Sequence, residues 1–103
     1  MIIVAGWVRM APEDIERLRS AAIAMMHATQ TSEPGCLDYA FSVDLAEPGL
    51  LRVIERWQDE AALAAHFATP HMAAFNAAMA GAAITGASIK AYAGDEVRTI
   101  MAL

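Results

Sequence analysis

The chain has 103 residues, of which 57% are apolar, and a formal net charge of −5. Its seven lysines and arginines are scattered, which argues against a nucleic-acid binder or a protein drawn to anionic lipid, since both need clustered basic residues. Cys36 is the only cysteine, which excludes a disulfide-stapled secreted class.

The predicted location is the cytoplasm, with no membrane partner. Met1–Val4 lacks the positive charges that open a signal peptide. The most apolar later segment, Met72–Ile84, is shorter than the roughly 20 residues of a membrane span. We therefore expect one domain of typical size, here residues 1–103, working without a membrane.

The first predicted element is a strand over residues 2–10 that is apolar on both faces. Ile3, Ala5 and Trp7 alternate with a second set, Ile2, Val4, Val8 and Met10. A strand covered on one side only would alternate with polar residues. The pattern therefore predicts cover on both sides, and a second copy of the chain is the simplest cover for a small, unusually apolar domain.

The next element is a helix that begins at Pro12, with Glu13 and Asp14 near its positive end. Its apolar side recurs at helical spacing through Ile15, Leu18, Ala22, Met25, Met26 and Thr29. A turn over Thr31–Gly35 is predicted to end it.

Two strands over residues 36–46 and 50–58 are predicted to pair as a hairpin across Glu47-Pro48-Gly49. In the first strand, alternation places five residues on one face: Leu37, Tyr39, Phe41, Val43 and Leu45. In the second strand the corresponding residues are Leu51, Val53, Glu55 and Trp57.

Two short helices and a strand complete the predicted chain order. Asp59 is typical of an N-cap for a helix to about Ala68, and Thr69-Pro70 for a helix to about Ala82. A strand near Ser88–Ala93 and a β-like tail over 97–103 follow. This order fits an α+β, ferredoxin-like (split βαβ) antiparallel sheet with helices on one face. We expect a homodimer through the other face, with the tail helping.

The residues suited to chemistry lie around two histidines, since no phosphate loop, Cys-x-x-Cys or His-Glu-x-x-His is present. His66 is predicted on the apolar side of its helix. His71 is the second residue of the next helix, whose positive end disfavours an imidazolium. A neutral imidazole there could act as a base or bond a phenolic oxygen. Nothing in the sequence predicts a flavin, nucleotide or other cofactor.

Structural roles compete with this interpretation. Either histidine can be a structural hydrogen-bonding residue, Trp57 can be plain core, and Glu55 can simply pair with an arginine. A metal site from Glu55, His66, His71 and His27 is disfavoured, because residues 66 and 71 are five positions apart across a helix break. We therefore predict no metal.

Three motifs together resemble a known family. They are Pro34-Gly35-Cys36-Leu37-x-Tyr39, Glu55-Arg56-Trp57-x-x-Glu60-Ala61-x-Leu63-x-x-His66 and Pro70-His71-Met72-x-x-Phe75. The chain resembles the antibiotic biosynthesis monooxygenase (ABM) family over residues 2–93, and within it the quinol-monooxygenase-like branch. The resemblance implies a dimeric α+β barrel, formed by two ferredoxin-like subunits joined through their sheets.

The resemblance also implies a site. Some members oxidise quinols or polycyclic phenols with O₂ and without metal or flavin. By position, the catalytic residues would be His71, His66 and Trp57, and those that contact substrate Tyr39, Phe41, Phe67, Met72 and Phe75, to which we add Glu55 from its predicted face. The haem-degrading relatives carry an asparagine on the first strand, where this chain has Ala5-Gly6-Trp7, so haem is not implied.

The leading hypothesis is a cofactor-independent monooxygenase acting with O₂ on a small quinol or other hydroxy-aromatic compound. The first alternative is a non-catalytic dimer that binds an apolar aromatic metabolite. The second is an isomerase on the same scaffold, in which His71 moves a proton and O₂ plays no part.

Overall fold

The computed structural model describes residues 1–103 and confirms the predicted element order. The elements are β1 (Ile2–Arg9), α1 (Pro12–Ser32), β2 (Cys36–Val43), β3 (Leu50–Trp57), α2 (Glu60–His66), α3 (Pro70–Met79) and β4 (Gly86–Ala93). The four strands form one sheet in the order β2-β3-β1-β4, and every neighbouring pair is antiparallel. This is the α+β, ferredoxin-like arrangement that the sequence predicts. No helix is both long enough and apolar enough to cross a bilayer.

The starts of the two short helices follow from side-chain caps. The Asp59 carboxylate accepts the Ala62 N–H at 2.8 Å, and the Thr69 hydroxyl accepts the Met72 N–H at 3.2 Å. Each cap satisfies a backbone donor that has no partner inside the first turn. Both predicted caps are confirmed, although the helices end at His66 and Met79, before the predicted ends.

A β-bulge in β2 changes the predicted face of one residue. The pairing with β3 shifts between Cys36 and Asp38, which leaves Leu37 as the extra residue with half of its surface exposed. A bulge inserts one residue into the ladder and so breaks the strict alternation. Leu45 also departs from the predicted face, because it lies beyond the end of the strand and is fully exposed.

The core lies between the sheet and the helices, in two clusters. The larger joins five buried residues, Val4, Met25, Tyr39, Trp57 and Leu63, and the smaller joins Val8, Met10, Ile15 and Leu18. Trp57 has no exposed surface at all. The side chains that β1 and β3 turn toward the helices therefore form the floor of the core.

The opposite sheet face has no cover within the chain. Ile3, Ala5 and Trp7 are only partly buried there, as the two-sided pattern of β1 predicts for a face without its partner. A second copy on this face stays a prediction.

The last residues, 94–103, form neither helix nor strand, so the predicted β-like tail is wrong for the single chain. A strand needs a neighbouring backbone to bond, and the tail has none. Its apolar side chains Val97, Ile100 and Leu103 are almost fully exposed.

Candidate functional site

An apolar pocket of about 360 Å³ lies between the helix-facing side of the sheet and the two short helices. Seven of the predicted site residues line it: Tyr39, Phe41, Glu55, His66, Phe67, Met72 and Phe75. Phe67 stands more than half exposed, whereas Tyr39 and His66 are almost completely buried. The pocket therefore runs from an exposed apolar rim to a buried wall with polar atoms.

Trp57 and His71 are not among the lining residues. Trp57 is wholly buried, and its indole N–H donates to the Glu55 carboxyl oxygen at 2.9 Å. His71 contacts Glu33 instead. Both residues therefore lie next to the pocket, in contact with Glu55 and Glu33, and neither of them lines it.

Glu55 owes its position to the alternation of β3, which turns it to the same face as Trp57. Burial raises the pKa of its carboxyl, and the hydrogen bond from Trp57 and the nearby His66 oppose this rise in pKa. Glu55 therefore holds its proton more readily than an exposed glutamate does.

Replacing Glu55 by glutamine should change how stability depends on pH. The pKa of the Glu55 carboxyl is higher in the folded state than its ordinary value of 4.5. At a pH just above 4.5, the folded protein therefore binds more protons at this group than the unfolded protein does. The contribution of Glu55 to the free energy of unfolding is thus complete below that pH and is lost as pH rises through the folded pKa.

Urea titrations from about pH 4 to about pH 8 should show this loss in the wild type and not in Glu55→Gln. Glu33 and His66, the other charges that act on Glu55, remain in both proteins. Identical pH profiles would contradict the raised pKa.

Tyr39 stands directly opposite Glu55 across the β2–β3 ladder. Burial raises the pKa of the Tyr39 hydroxyl far above its usual value, and the carboxylates of Glu55 and Glu33 add to the rise. The hydroxyl therefore stays protonated and can serve as a hydrogen-bond donor rather than a base.

Glu33 joins the two histidines. One of its carboxylate oxygens, Oε2, lies 2.8 Å from Nδ1 of His66 and 2.6 Å from Nε2 of His71. A carboxylate accepts hydrogen bonds, so each ring nitrogen facing it is assigned as the N–H nitrogen. The Glu33 side chain is 11% exposed, so this bridge is largely shielded from water.

This bridge determines which His66 nitrogen is available to a ligand. With the proton on Nδ1, Nε2 is the acceptor nitrogen, and no protein group donates a hydrogen bond to it. The ring is held in place by Trp57 and Tyr39, at centroid distances of 4.8 and 5.2 Å. His66 therefore offers an oriented, basic nitrogen beside an apolar pocket.

Gly35 allows the chain that carries Glu33 to approach α2 closely. A Cβ at position 35 would overlap the Cβ of Ala62, which has no flexible chain with which to yield. The carbonyl of Gly35 also accepts the Gln58 N–H at 2.9 Å, which ties the turn to the end of β3. Glycine at this position thus brings Glu33 within reach of His66.

Glu33 is not among the predicted site residues, because it falls in the predicted turn and belongs to no periodic pattern. His66 and His71 are five positions apart across a helix break, yet their side chains lie close together. A short turn joins α2 to α3 and brings the two rings to a centroid distance of 6.1 Å. The Glu33 oxygen and the two ring nitrogens lie within 4.8 Å of one another, whereas His27 is exposed and outside this group.

The arrangement can move a proton. His66 supplies an acceptor nitrogen, and the Tyr39 hydroxyl, whose pKa is raised by burial, supplies a donor. Such a set can deprotonate a hydroxyl on an apolar ligand and donate a hydrogen bond to the oxyanion that results.

Sequence comparison gives relatives over most of the chain. The profile of the antibiotic biosynthesis monooxygenase family matches residues 1–78. Uncharacterized protein sll1783 of Synechocystis is 31% identical over 99 residues, covering 96% of this chain and 67% of that protein. YcnE of Bacillus subtilis, named as a candidate monooxygenase, is 29% identical over 75 residues, covering 73% of this chain and 78% of that protein.

Structural comparison points the same way. The crystal structure of a candidate antibiotic biosynthesis monooxygenase from Deinococcus radiodurans matches with a TM-score of 0.86 at 31% identity. The match covers 99% of this chain and 100% of that one. The similarity therefore includes every element that carries the pocket and the bridge of Glu33 to the two histidines.

Proposed function

Because the chain belongs to the antibiotic biosynthesis monooxygenase family, we propose that it is a cofactor-independent monooxygenase that oxidises a small quinol or other hydroxy-aromatic compound with O₂. The observation that carries the proposal is the acceptor nitrogen of His66, oriented by Glu33 at the wall of an apolar pocket. Family likeness supports monooxygenase chemistry in general, and this site supports the substrate class.

The pocket suits a flat apolar molecule with few polar groups. Its volume of about 360 Å³ falls within the range of roughly 300–1,000 Å³ that is typical of small-ligand sites. Phe41 and Phe75 stack at a centroid distance of 5.3 Å and give the wall an aromatic surface. A hydroxy-aromatic ring could pack on this wall while one hydroxyl reaches His66.

The first step of the proposed reaction is proton transfer from the substrate hydroxyl to Nε2 of His66. The Nδ1–H of the resulting imidazolium remains bonded to Glu33, whose negative charge stabilises it. A hydrogen bond from the Tyr39 hydroxyl would stabilise the phenolate oxygen, so that the ring becomes electron-rich without leaving the pocket.

The electron-rich ring then reduces O₂ itself. A carbon–oxygen bond forms at a ring carbon to give a peroxide anion, which takes back the proton held by His66 and becomes a hydroperoxide. Loss of water from the hydroperoxide leaves a new carbonyl. One oxygen atom enters the product, the other leaves as water, and the quinol supplies all four electrons. No external reductant is needed.

An isomerase is the second candidate, because His66, with its acceptor nitrogen, and Glu55, whose carboxyl pKa is raised by burial, line the same pocket. Such a pair can move a proton from one atom of a substrate to another without O₂. Turnover under anaerobic conditions distinguishes the two functions.

The test is O₂ consumption by metal-stripped protein, measured at an electrode with a panel of quinols, anthrones and catechols. We expect uptake above the autoxidation blank for at least one class, retained in the control His27→Gln, whose histidine is exposed and remote from the bridge. No uptake across the panel would overturn the proposal. Ligand binding without a product would then identify a binding module, and anaerobic turnover an isomerase.

A further inference from the structure

The group formed by Glu33, His66 and His71 has the composition of a metal site. A carboxylate oxygen and two imidazole nitrogens are a ligand set that zinc enzymes use, with the fourth position open to water or substrate. Here these three atoms lie within 4.8 Å of one another, and two of the three distances are 2.6 and 2.8 Å.

The distances are close to those that a cation would need. With metal–ligand bonds of about 2.0–2.2 Å, tetrahedral ligands lie roughly 3.3 Å apart. The Glu33 oxygen would have to move away from the nitrogens by about 0.5–0.7 Å, and the two nitrogens, which lie within 4.8 Å of each other, would have to approach by up to about 1.5 Å. His71 can follow, because it lies in the first turn of α3 and keeps 18% of its side chain exposed.

Charge and access also suit a dication. The bridge contains one carboxylate, which would neutralise half of the cation's charge, and the carboxyl of Glu55 lies on the pocket side of His66. The exposed part of His71 gives a route from solvent, whereas the 1% exposure of His66 closes the other side. The site is therefore open enough to load and buried enough to retain an ion.

We propose that Glu33, His66 and His71 bind a divalent transition-metal cation of the Zn²⁺ class, and that the bound ion competes with proton transfer by His66. Coordination through Nδ1 of His66 moves the ring proton to Nε2, the nitrogen that faces the pocket. His66 then has no acceptor nitrogen left. The proposed metal binding goes beyond the proposed function, whereas the competition with proton transfer by His66 rests on it.

The experiment titrates metal-stripped protein with Co²⁺, followed by its visible absorption, and with Zn²⁺, followed by calorimetry. We expect one equivalent to bind to the wild type and to the control His27→Gln. Glu33→Gln and His71→Gln should each bind more weakly, by more than about 100-fold, because loss of an outer-shell partner alone costs roughly 10–100-fold and these residues are direct ligands. Equal affinity in all four proteins, or no stoichiometric binding to the wild type, overturns the proposal.

A variant that supplies another ligand at position 71 separates loss of the metal site from loss of folding. The carboxylate oxygen of His71→Glu reaches about as far from Cβ as Nε2 of histidine does, so this variant should bind Co²⁺ more tightly than His71→Gln, whereas equal weakening in both variants would overturn the assignment. Thermal unfolding of each variant shows whether it is folded.

The competition between the bound cation and proton transfer by His66 is tested separately. Zn²⁺ should reduce O₂ uptake in proportion to the occupancy measured by calorimetry, and full uptake at saturating Zn²⁺ would overturn this part of the proposal. Metal binding is measured without substrate, so the two proposals can fail independently. If the protein consumes no O₂, the proposed function is overturned, and the metal titration alone still decides whether the metal site exists.

Discussion

Replacing His66 by glutamine should lower the kcat for O₂ consumption by about 10²–10⁴-fold, the usual contribution of a general base. An amide nitrogen or oxygen cannot accept the substrate proton at neutral pH, although glutamine can still bond Glu33. His66 is the one residue whose unprotonated nitrogen faces the pocket while its other nitrogen is held by a carboxylate. The measurement is the initial rate of O₂ uptake at saturating substrate.

Structural damage must be separated from lost chemistry in this variant. The ring of His66 packs on Trp57 and Tyr39, so its removal also disturbs the core. We therefore expect Tm to fall modestly and ligand binding to persist, while kcat is lost. Unchanged turnover in folded His66→Gln would remove His66 from the mechanism, and loss of turnover in the control His27→Gln would show that the assay reports general damage.

Replacing Trp57 by alanine should lower the free energy of unfolding by about 3–5 kcal/mol, as expected for truncation of a buried aromatic side chain. Trp57 has no exposed surface and sits in the larger core cluster with Val4, Met25 and Leu63. Its loss also leaves the buried carboxyl of Glu55 without its N–H donor. Because small domains are stable by only about 5–15 kcal/mol, much of the stability should disappear.

Urea unfolding at neutral pH measures this change, with two variants for comparison. Trp57→Phe keeps most of the ring and removes the N–H, so it should lose about 1–3 kcal/mol. Trp7→Ala removes the same side chain from the open sheet face, where it is only partly buried in the single chain, and at a protein concentration at which the chain is monomeric it should lose less than Trp57→Ala. Equal losses at positions 7 and 57 would contradict the central place of Trp57 in the core.

Local patterns account for what the sequence could predict. Helix starts depend on a cap and the residues just after it, and Asp59 and Thr69 form their caps as predicted. Strand faces depend on alternation, which placed Glu55 and Trp57 on the helix-facing side of β3. The order of elements then leaves few possible topologies, and the ferredoxin-like sheet is the one observed.

Part of the site was predicted as well. Seven of the predicted residues line the pocket: the family resemblance implied Tyr39, Phe41, Phe67, Met72 and Phe75, while strand alternation and helical spacing also pointed to Glu55 and His66. The strand alternation failed at Leu37, where a bulge interrupts it. Trp57 and His71, which the resemblance implied as pocket residues, do not line the pocket. Backbone irregularities and the depth of a side chain depend on the neighbouring elements, which no local pattern describes.

The sequence by itself determined the order of the seven elements, the caps of the two short helices, the faces of most strand residues and membership in a family. Only the tertiary structure decided the bridge from Glu33 to the two histidines. His66 is 33 positions from Glu33 along the chain, and His71 is 38 positions from it. These contacts form because α1 ends where Gly35 lets the chain meet α2, and because a short turn brings α3 back beside it. Hydrogen bonds of this kind depend on where elements end in space, so periodicity, which reports only a residue's own helix or strand, carries no information about them.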